Sequence, residues 1–315
     1  MPLSVMENYL EAIRYGNPEY VPMTCEPIWH IVSFDDIMRM ENWTDRFGVS
    51  WVKEMDGVVP FPKGNPITNI EAQIEKYRFP DPDELVMDPE AIVRLNKVDR
   101  GNMLVMGHMY YFCFERAWAL MGLEHFMTAI YEFPDLVRYL LHEIAKYARG
   151  VFDRYLEIGV DAVGFTEDLG TQKAMMMSPG HVRDLLLPEY RYAFENVLKE
   201  KKIIFFHSCG CVNPIVNDLA DAGVTILNPV QTRANDLYQV KRDAFGKMAL
   251  EGGVDSHLIM TGTPEDVRRE VTRVMEILKP GGGYICGMDH FFPDMPKDNV
   301  QALWETAKNI GRYIP

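Results

Sequence analysis

The sequence feature that most constrains the fold is a short apolar run that ends in a histidine and a cysteine. Residues 203–206 read Ile-Ile-Phe-Phe, and His207, Ser208 and Cys209 follow directly. Four apolar residues are too few for a buried helix, and they predict a strand covered on both faces, as in a parallel α/β sheet. Enzymes of this class keep their functional groups at the carboxyl ends of such strands. His207 and Cys209 are two residues apart, so both side chains can face one metal ion.

Strand and helix patterns alternate along the rest of the chain. Six further strand patterns occur, in residues 21–29, 103–107, 159–165, 224–227, 247–250 and 283–286. Helical stripes lie between them, for example Leu136, Leu140 and Ile144. Repeats of strand, helix and strand predict right-handed βαβ units and a parallel sheet. The patterns thus identify seven strands, and they leave the eighth strand of a closed barrel unassigned.

Two α/β architectures share this alternation, the closed barrel and the open doubly wound sheet. The open dinucleotide-binding sheet is disfavoured, because no G-x-G-x-x-G follows an early strand and no G-x-x-x-x-G-K occurs. Residues 281–283 are three glycines, but they precede a strand instead of opening a helix. We therefore predict a (β/α)₈ TIM barrel. An N-terminal extension with a short helix and an irregular, proline-rich insertion over residues 45–88, a candidate lid, complete the prediction.

Length and composition indicate a globular protein. The chain has 315 residues, of which 47% are hydrophobic and 25% are charged. Because α/β barrels of about 250 residues or more are commonly one domain, we expect residues 1–315 to form a single domain. The formal net charge of −14 argues against nucleic acid or an anionic membrane as the partner.

The chain shows no targeting or membrane signal. No run of about 18 apolar residues occurs, and the first residues lack the basic and apolar regions of a signal peptide. We therefore expect a cytoplasmic protein. An odd number of cysteines in a reducing compartment favours free thiols or metal ligands over disulfides. The five cysteines are Cys25, Cys113, Cys209, Cys211 and Cys286.

Acidic and aromatic residues follow other predicted strands. Glu26 lies near the end of the first extended segment, and Glu167 and Asp168 end a later strand pattern. Because the carboxyl ends of barrel strands meet at one end of the molecule, these carboxylates are candidates for the site that contains His207. Tyr111 belongs to an aromatic cluster after another strand, which can line the pocket of a flat substrate.

Several motifs resemble the uroporphyrinogen decarboxylase superfamily. They are His-Ser-Cys-Gly at residues 207–210, Asp-Leu-Ala-x-x-Gly-Val at 218–224, Ser-Pro at 178–179, Pro-x-x-Pro-x-x-Asn-Val at 293–300, and Asp-Arg-Phe-Gly-Val-x-Trp at 45–51. The resemblance covers most of the chain and implies a (β/α)₈ barrel. It also implies one of two activities. One branch decarboxylates a porphyrinogen that bears four carboxylates, without a cofactor, and the other transfers methyl groups with zinc and a corrinoid protein.

The methyltransferase branch matches this sequence better. The decarboxylases have an arginine-rich segment near the first strand that clamps the substrate carboxylates, whereas residues 26–30 read Glu-Pro-Ile-Trp-His. Carboxylates at the strand ends would repel such a substrate. The resemblance therefore implies methyl transfer between a corrinoid protein and a small substrate, which is a methyl ether, a methylamine, a methanol-like donor or a thiol acceptor. A cofactor-free decarboxylase and a metal-free, non-catalytic barrel are the alternatives.

The resemblance also implies a zinc site. In the methyltransferase branch a His-x-Cys motif at the fourth strand and a distant cysteine near the last strand hold zinc, and His207 and Cys209 match the first half. Cys286 is the predicted third ligand, although the family spacing falls on Asp289, and Asp289 and His290 are competing donors. The alternative is a neutral, hydrogen-bonded His207 beside a Cys209 that packs as a small hydrophobic residue.

Zinc chemistry suggests roles for the other candidates. Asp168 and Glu167 are the predicted catalytic residues, because a carboxylate at the neighbouring strand end can position or protonate a leaving group. The corrinoid, a cobalamin, is expected on a separate partner protein that docks over the barrel mouth. A homodimer is a further expectation. The predicted substrate-binding residues are Glu26, Tyr111, Gln231 and His290.

Overall fold

The chain forms a curled sheet of parallel strands surrounded by helices. A computed structural model describes residues 2–35, 37–55 and 58–313. The strands in these residues are β1 (Trp29–Val32), β2 (Trp43–Thr44), β3 (Ser50–Val52), β4 (Phe61–Gly64), β5 (Leu104–Met109), β6 (Ala162–Thr166), β7 (Ile203–His207), β8 (Ile226–Val230), β9 (Ala249–Val254) and β10 (Tyr284–Met288).

Seven of these strands form one parallel sheet, in the order β1-β5-β6-β7-β8-β9-β10. The segment just before β1 joins its two edges, because Met23 forms a parallel bridge with Cys286 of β10. The amide of Thr24 donates to the carbonyl of Cys286 at 3.0 Å, and the amide of Cys286 donates to the carbonyl of Pro22 at 2.8 Å. The predicted α/β barrel is therefore confirmed. The extended segment predicted at residues 21–29 is divided in two, because residues 22–24 pair with β10 and β1 begins at Trp29.

Helices cover the outside of the sheet. The longer ones turn an apolar stripe towards it, as α6 does with Leu140, Ile144 and Val151. No helix in the described parts of the chain is long and apolar enough to cross a membrane. The helices are α1 (Val5–Ile13), α2 (Ile70–Gln73), α3 (Pro89–Leu95), α4 (Cys113–Met121), α5 (Leu123–Glu132), α6 (Pro134–Ile158), α7 (Pro179–His181), α8 (Leu187–Lys199), α9 (Val216–Asp221), α10 (Leu237–Ala244), α11 (Ser256–Thr261), α12 (Pro264–Leu278) and α13 (Lys297–Ile310).

Strand β7 is buried on both faces, as its sequence predicts. Ile203 and Phe205 belong to the core inside the barrel, whereas Ile204 and Phe206 belong to the core between the sheet and the helices. Successive side chains of a strand point to opposite faces, so the side chain of His207 points to the inside of the barrel, as those of Ile203 and Phe205 do. The strand therefore delivers the imidazole to the mouth of the barrel.

Helix α1, in the predicted N-terminal extension, closes the opposite end of the barrel. Its Tyr9 and Ile13 pack with Leu104 and Ile226, the first residues of β5 and β8, in the core inside the barrel. The helix begins with a capping box, in which the Ser4 hydroxyl accepts from the amide of Glu7 at 3.2 Å and the Glu7 carboxylate accepts from the amide of Ser4 at 2.8 Å. The carboxyl ends of the strands are left as the open end.

The proline-rich insertion is more regular than predicted. β2, β3 and β4 form an antiparallel sheet in that order. Trp43 on β2 stacks over Trp51 on β3, with ring centroids 6.2 Å apart. Cross-strand aromatic pairs stabilise antiparallel strands, and the density of prolines obscured this signal in the sequence. Residues 56 and 57 of the insertion lie outside the described residues.

A buried ion pair fixes the insertion to the barrel. The Asp45 carboxylate accepts from the amide of Val49 and from Trp51 Nε1, both at 2.9 Å, and it pairs with the Arg116 guanidinium of α4. The Asp45 and Arg116 side chains are 0% and 3% exposed. The Tyr111 ring, just after β5, stacks on Trp51 at 4.4 Å between centroids. These contacts hold the insertion beside the carboxyl ends of the strands.

The substitution Asp45→Asn tests this anchor. It keeps the shape of the side chain but leaves the buried Arg116 charge without the carboxylate it faces, so we expect the free energy of unfolding to fall by about 3 kcal/mol. Urea denaturation of both proteins measures the difference. Glu54→Gln, which removes an exposed carboxylate of the insertion paired with Lys63, is the matched control and should change the free energy of unfolding little. Equal effects of the two substitutions would contradict the anchor.

Candidate metal centre

Three of the predicted site residues meet at the carboxyl ends of β6 and β7. His207 Nε2 lies 3.6 Å from Cys209 Sγ and 3.9 Å from Asp168 Oδ1. One ligand atom from each of Asp168, His207 and Cys209 lies within 4.8 Å of the others, and no other such group of His, Cys, Asp or Glu occurs in the described residues. Nitrogen, sulfur and oxygen donors at this spacing fit one zinc ion. We call these three residues the donor group.

Two glycines bring the loops of the donor group together. A Cβ atom on Gly210, whose φ is +81°, would lie 2.3 Å from the backbone of Gly170, so the loops after β6 and β7 touch backbone to backbone. Asp168 Oδ1 accepts from the amide of Cys209 at 2.7 Å. Gln231 Oε1 accepts from the amide of Gly210 at 2.8 Å and braces the same loop. The turn after β7 is therefore fixed before any ligand binds.

The side chain of Asn228 on β8 orients the imidazole of His207. Asn228 Oδ1 lies 2.7 Å from His207 Nδ1, and Asn228 Nδ2 donates to Glu251 Oε1 on β9 at 2.7 Å. Because the amide nitrogen faces Glu251, the amide oxygen faces His207 and accepts the Nδ1 proton. Nε2 then keeps its lone pair and points towards Cys209 and Asp168. A histidine that ligates a metal needs this tautomer.

The hydrogen bonds continue through the interior of the barrel. The Tyr9 hydroxyl of α1 is hydrogen-bonded to the Glu251 carboxylate, and Trp29 Nε1 donates to the Tyr9 hydroxyl at 3.2 Å. Burial raises the pKa of Glu251 to about 7, and the bonds from Asn228 and Tyr9 oppose this shift. We call this hydrogen-bonded series, which consists of Trp29, Tyr9, Glu251, Asn228 and His207, the interior relay. It links the helix that closes one end of the barrel to the donor group at the other.

Without a cation, the Cys209 thiol is protonated. Burial raises its pKa to about 12, and the carboxylates of Asp168, Asp289 and Glu115 add to the shift. A thiolate among these carboxylates requires a positive charge to balance it, and a bound metal ion provides one. The electrostatics of the donor group therefore fit a metal ion.

A cavity adjoins the donor group on the side of β8 to β10. Its volume is about 500 Å³, which suits a small molecule. Asp289 is buried in its wall, where its carboxylate accepts from the amide of Ser256 at 3.1 Å, and burial raises its pKa. The wall includes His207, Asn228, Glu251, Asp289, His290 and Trp304.

The structure does not bring Cys286 to the donor group. Ile285 faces the core inside the barrel, so Cys286, the next residue of β10, faces the core between the sheet and the helices. The cysteine is fully buried, and burial raises the pKa of its thiol to about 12. The side chain that lies beside His207 and Cys209 is instead that of Asp168.

Glu167 is also turned away from the mouth. Its buried carboxylate accepts from the amides of Phe114 at 2.7 Å and Glu115 at 3.1 Å, and from the Tyr190 hydroxyl at 2.6 Å. Burial raises its pKa to about 7. The carboxylate thus binds the first amides of α4, where a helix favours negative charge. Of the two adjacent acids, the structure brings Asp168 to His207 and points Glu167 at α4.

The four predicted substrate-binding residues lie in four different places. His290 lines the cavity. Gln231 supports the loop after β7, and it also accepts from Gln172 Nε2 at 3.0 Å. Tyr111 stacks against the insertion. Glu26 bonds within its own turn, where its carboxylate accepts from the Tyr20 hydroxyl at 3.1 Å and from the amide of Met23 at 3.0 Å.

Three polar residues inside the barrel were missed as site residues from the sequence. Asn228 and Glu251 belong to the interior relay, and His108 lies on β5 in the inner phase of Leu104 and Met106. His108 Nδ1 is buried without a hydrogen-bond partner among the described residues, and burial lowers the pKa of the ring to about 4. The sequence signal that could have identified all three is a polar residue at a position of an otherwise apolar strand whose side chain points to the inside of the barrel.

Comparisons with known proteins agree with this architecture. The family described as Uroporphyrinogen decarboxylase (URO-D) matches residues 49–310. The uroporphyrinogen decarboxylase of Legionella pneumophila (strain Corby) is 25% identical over 192 residues, which are 60% of this chain and 52% of that protein. The methylcobamide:CoM methyltransferase MtaA of Methanosarcina barkeri is 24% identical over 189 residues, which are 58% of this chain and 52% of the relative. The chain thus spans about half the length of these two relatives.

A solved structure has the same fold. A methyltransferase from Methanosarcina mazei superposes with a TM-score of 0.72 at 18% sequence identity, and the alignment covers 98% of this chain and 99% of that one. The likeness therefore extends over the barrel, the N-terminal helix and the insertion. Because the family match spans well over half of the sequence, the chain belongs to the uroporphyrinogen decarboxylase (URO-D) family.

Proposed function

We propose that this member of the family is a zinc-dependent methyltransferase that moves a methyl group between a small substrate and a corrinoid protein. The observation that carries the proposal is the donor group, whose three ligand atoms lie within 4.8 Å of one another at the barrel mouth. Three protein donors of mixed type leave a position free, as in catalytic zinc sites. When bound, zinc supplies a Lewis acid for the oxygen, nitrogen or sulfur atom that releases or receives the methyl group.

The chain itself holds the reacting groups in place. The interior relay keeps the proton of His207 on Nδ1 and leaves Nε2 for the metal. The cavity beside His207 places the substrate next to Nε2, the nitrogen that binds the metal. Asp168, whose side chain is 43% exposed, is accessible from the mouth. Positioning of this kind is a large part of catalysis in displacement reactions, which need the reacting atoms in line.

A corrinoid protein must reach the cavity from outside, and the surface next to the cavity is suited to a protein partner. A groove of about 470 Å³ shares Phe291, Val300 and Trp304 with the cavity and adds Phe292. Phe291 and Phe292 are 66% and 40% exposed. Exposed aromatic residues beside a functional site favour protein contact. We infer that the partner docks here and covers the mouth.

The charge of the cavity argues against decarboxylation of a polycarboxylate. The wall carries the carboxyl groups of Glu251 and Asp289, and its lining among the described residues includes neither lysine nor arginine. A substrate with several carboxylates would have no cation to pair with. This feature supports methyl transfer over the lyase activity of the relatives named uroporphyrinogen decarboxylase.

Metal analysis of purified protein and of four variants tests the donor group. We expect nearly one zinc per chain in the wild type, and a large loss in His207→Ala, Cys209→Ala and Asp168→Ala, because each removes one of three ligands. Cys286→Ala is the matched control, since it removes a buried thiol outside the donor group, and it should retain zinc. Zinc that survives His207→Ala or Cys209→Ala would contradict the proposal, as would its absence from the wild type.

The transfer itself is measured with free cobalamin in place of the partner. Zinc-loaded protein and a methyl donor should convert cob(I)alamin to methylcobalamin, which is followed by visible absorbance, and His207→Ala should abolish the reaction. The methyl donors to be tested are a methyl ether, a methylamine, methanol and a methyl thioether. Release of carbon dioxide from uroporphyrinogen by the metal-free protein, without any methyl transfer, would establish the decarboxylase alternative instead.

Asn228→Ala tests the orientation of the imidazole. The substitution removes the acceptor of the Nδ1 proton, so His207 loses its fixed tautomer, and we expect zinc affinity to fall about 10- to 100-fold. Competition with a chelator measures the affinity, and nitrogen NMR of His207 reports the tautomer directly. The urea midpoint of the metal-free protein separates this effect from misfolding. Unchanged affinity together with an unchanged tautomer would remove Asn228 from the site.

A further inference from the structure

The cavity beside His207 has an unbalanced charge. Its wall contains two carboxyl side chains, Glu251 and Asp289, both buried. Neither lysine nor arginine occurs among the described residues of the wall. Lys297 lies in the outer groove that adjoins the cavity, not in the cavity itself. A molecule that enters this space therefore meets carboxyl groups, the imidazoles of His207 and His290, and otherwise neutral surface.

A metal ion in the donor group does not reverse this balance. The two positive charges of zinc are matched by the Cys209 thiolate and the Asp168 carboxylate, and His207 binds as a neutral ligand. The metal site is thus neutral as a whole. The Asp289 carboxylate, buried in the wall beside His290, is then the negative charge that a substrate meets.

The remaining wall is apolar and aromatic. Met288, Phe291, Val300 and Trp304 also line the cavity. Such a surface favours methyl groups and uncharged carbon chains, and the faces of aromatic rings attract cations. The same faces repel anions, because the ring quadrupole presents negative charge there.

We propose that this cavity selects small substrates without negative charge and excludes anionic ones. The inference rests on the proposed function, since it assigns the cavity to the methyl donor or acceptor. It restricts the substrate class to uncharged or cationic compounds, such as simple ethers, alcohols, amines and thiols. Thiols that carry a sulfonate or carboxylate group are excluded by repulsion from the Asp289 carboxylate.

A series of thiols of one length tests the selection. Cysteamine, 2-mercaptoethanol and 2-mercaptoethanesulfonate share a two-carbon thiol and carry an ammonium, a hydroxyl and a sulfonate group. Protein loaded with cobalt(II) in place of zinc should gain a sulfur-to-cobalt absorption band when a thiol binds. We expect the sulfonate to bind on the order of tenfold more weakly than the hydroxyl compound, because one like-charge contact in a partly buried site has about this effect.

Asp289→Asn separates the cavity charge from the intrinsic acidity of each thiol. The variant keeps the oxygen that accepts from Ser256 and removes the charge, so the ratio of the sulfonate and hydroxyl affinities should approach one. Asp294→Asn, at an exposed position on the same loop, is the matched control and should leave the ratio unchanged, because water and salt screen exposed charges.

Two results overturn separate parts of the account. Binding of the sulfonate as tightly as the hydroxyl compound in the wild type, or a ratio that Asp289→Asn leaves unchanged, would contradict the selection while the metal site stands. A cobalt spectrum that no thiol alters would contradict the proposed function itself, because the donor group would then offer no open position to a substrate.

Discussion

The hydrogen bond between Asn228 and His207 is the interaction on which the proposed site depends. Asn228 can present its oxygen to the imidazole because its nitrogen is held by Glu251, at 2.7 Å on each side. Glu251 is held in turn by Tyr9, a residue of the helix that closes the far end of the barrel. A polar chain through an apolar interior is costly unless every member is paired. The members of this chain are paired with one another inside the barrel, and the result of the pairing is a fixed orientation of the His207 imidazole.

Much of the fold could be predicted from the sequence because it follows from local patterns. The run at residues 203–206 is apolar on both faces, and the structure buries it on both faces. His207 and Cys209 were brought together by a short loop, so their spacing was sufficient to pair them. The sequence did not determine which face of β10 Cys286 occupies, because a motif spacing does not fix the phase of a strand, and a shift of one residue turns a side chain to the opposite face. The regular part of the insertion was missed because its pairing depends on Trp43 and Trp51 across a turn.

The three acids at the strand ends show what a sequence leaves open. Glu26, Glu167 and Asp168 have the same chemistry and similar positions, yet Glu26 bonds within its own turn, Glu167 binds the amides of α4, and Asp168 faces His207. Only the packing of neighbouring elements separates these outcomes. The same packing places carboxyl groups and aromatic rings in the wall of the cavity, and the proposed substrate selection depends on them.

The ligand set of the bound metal is the most direct test of the central claim, and zinc K-edge X-ray absorption of the purified protein measures it. The account predicts one sulfur ligand at about 2.3 Å, from Cys209, with the remaining first-shell atoms being nitrogen and oxygen at about 2.0–2.2 Å. The sulfur signal should vanish in Cys209→Ala and persist in Cys286→Ala. Two sulfur ligands in the wild type, or a sulfur signal that survives Cys209→Ala, would contradict a donor group formed by Asp168, His207 and Cys209.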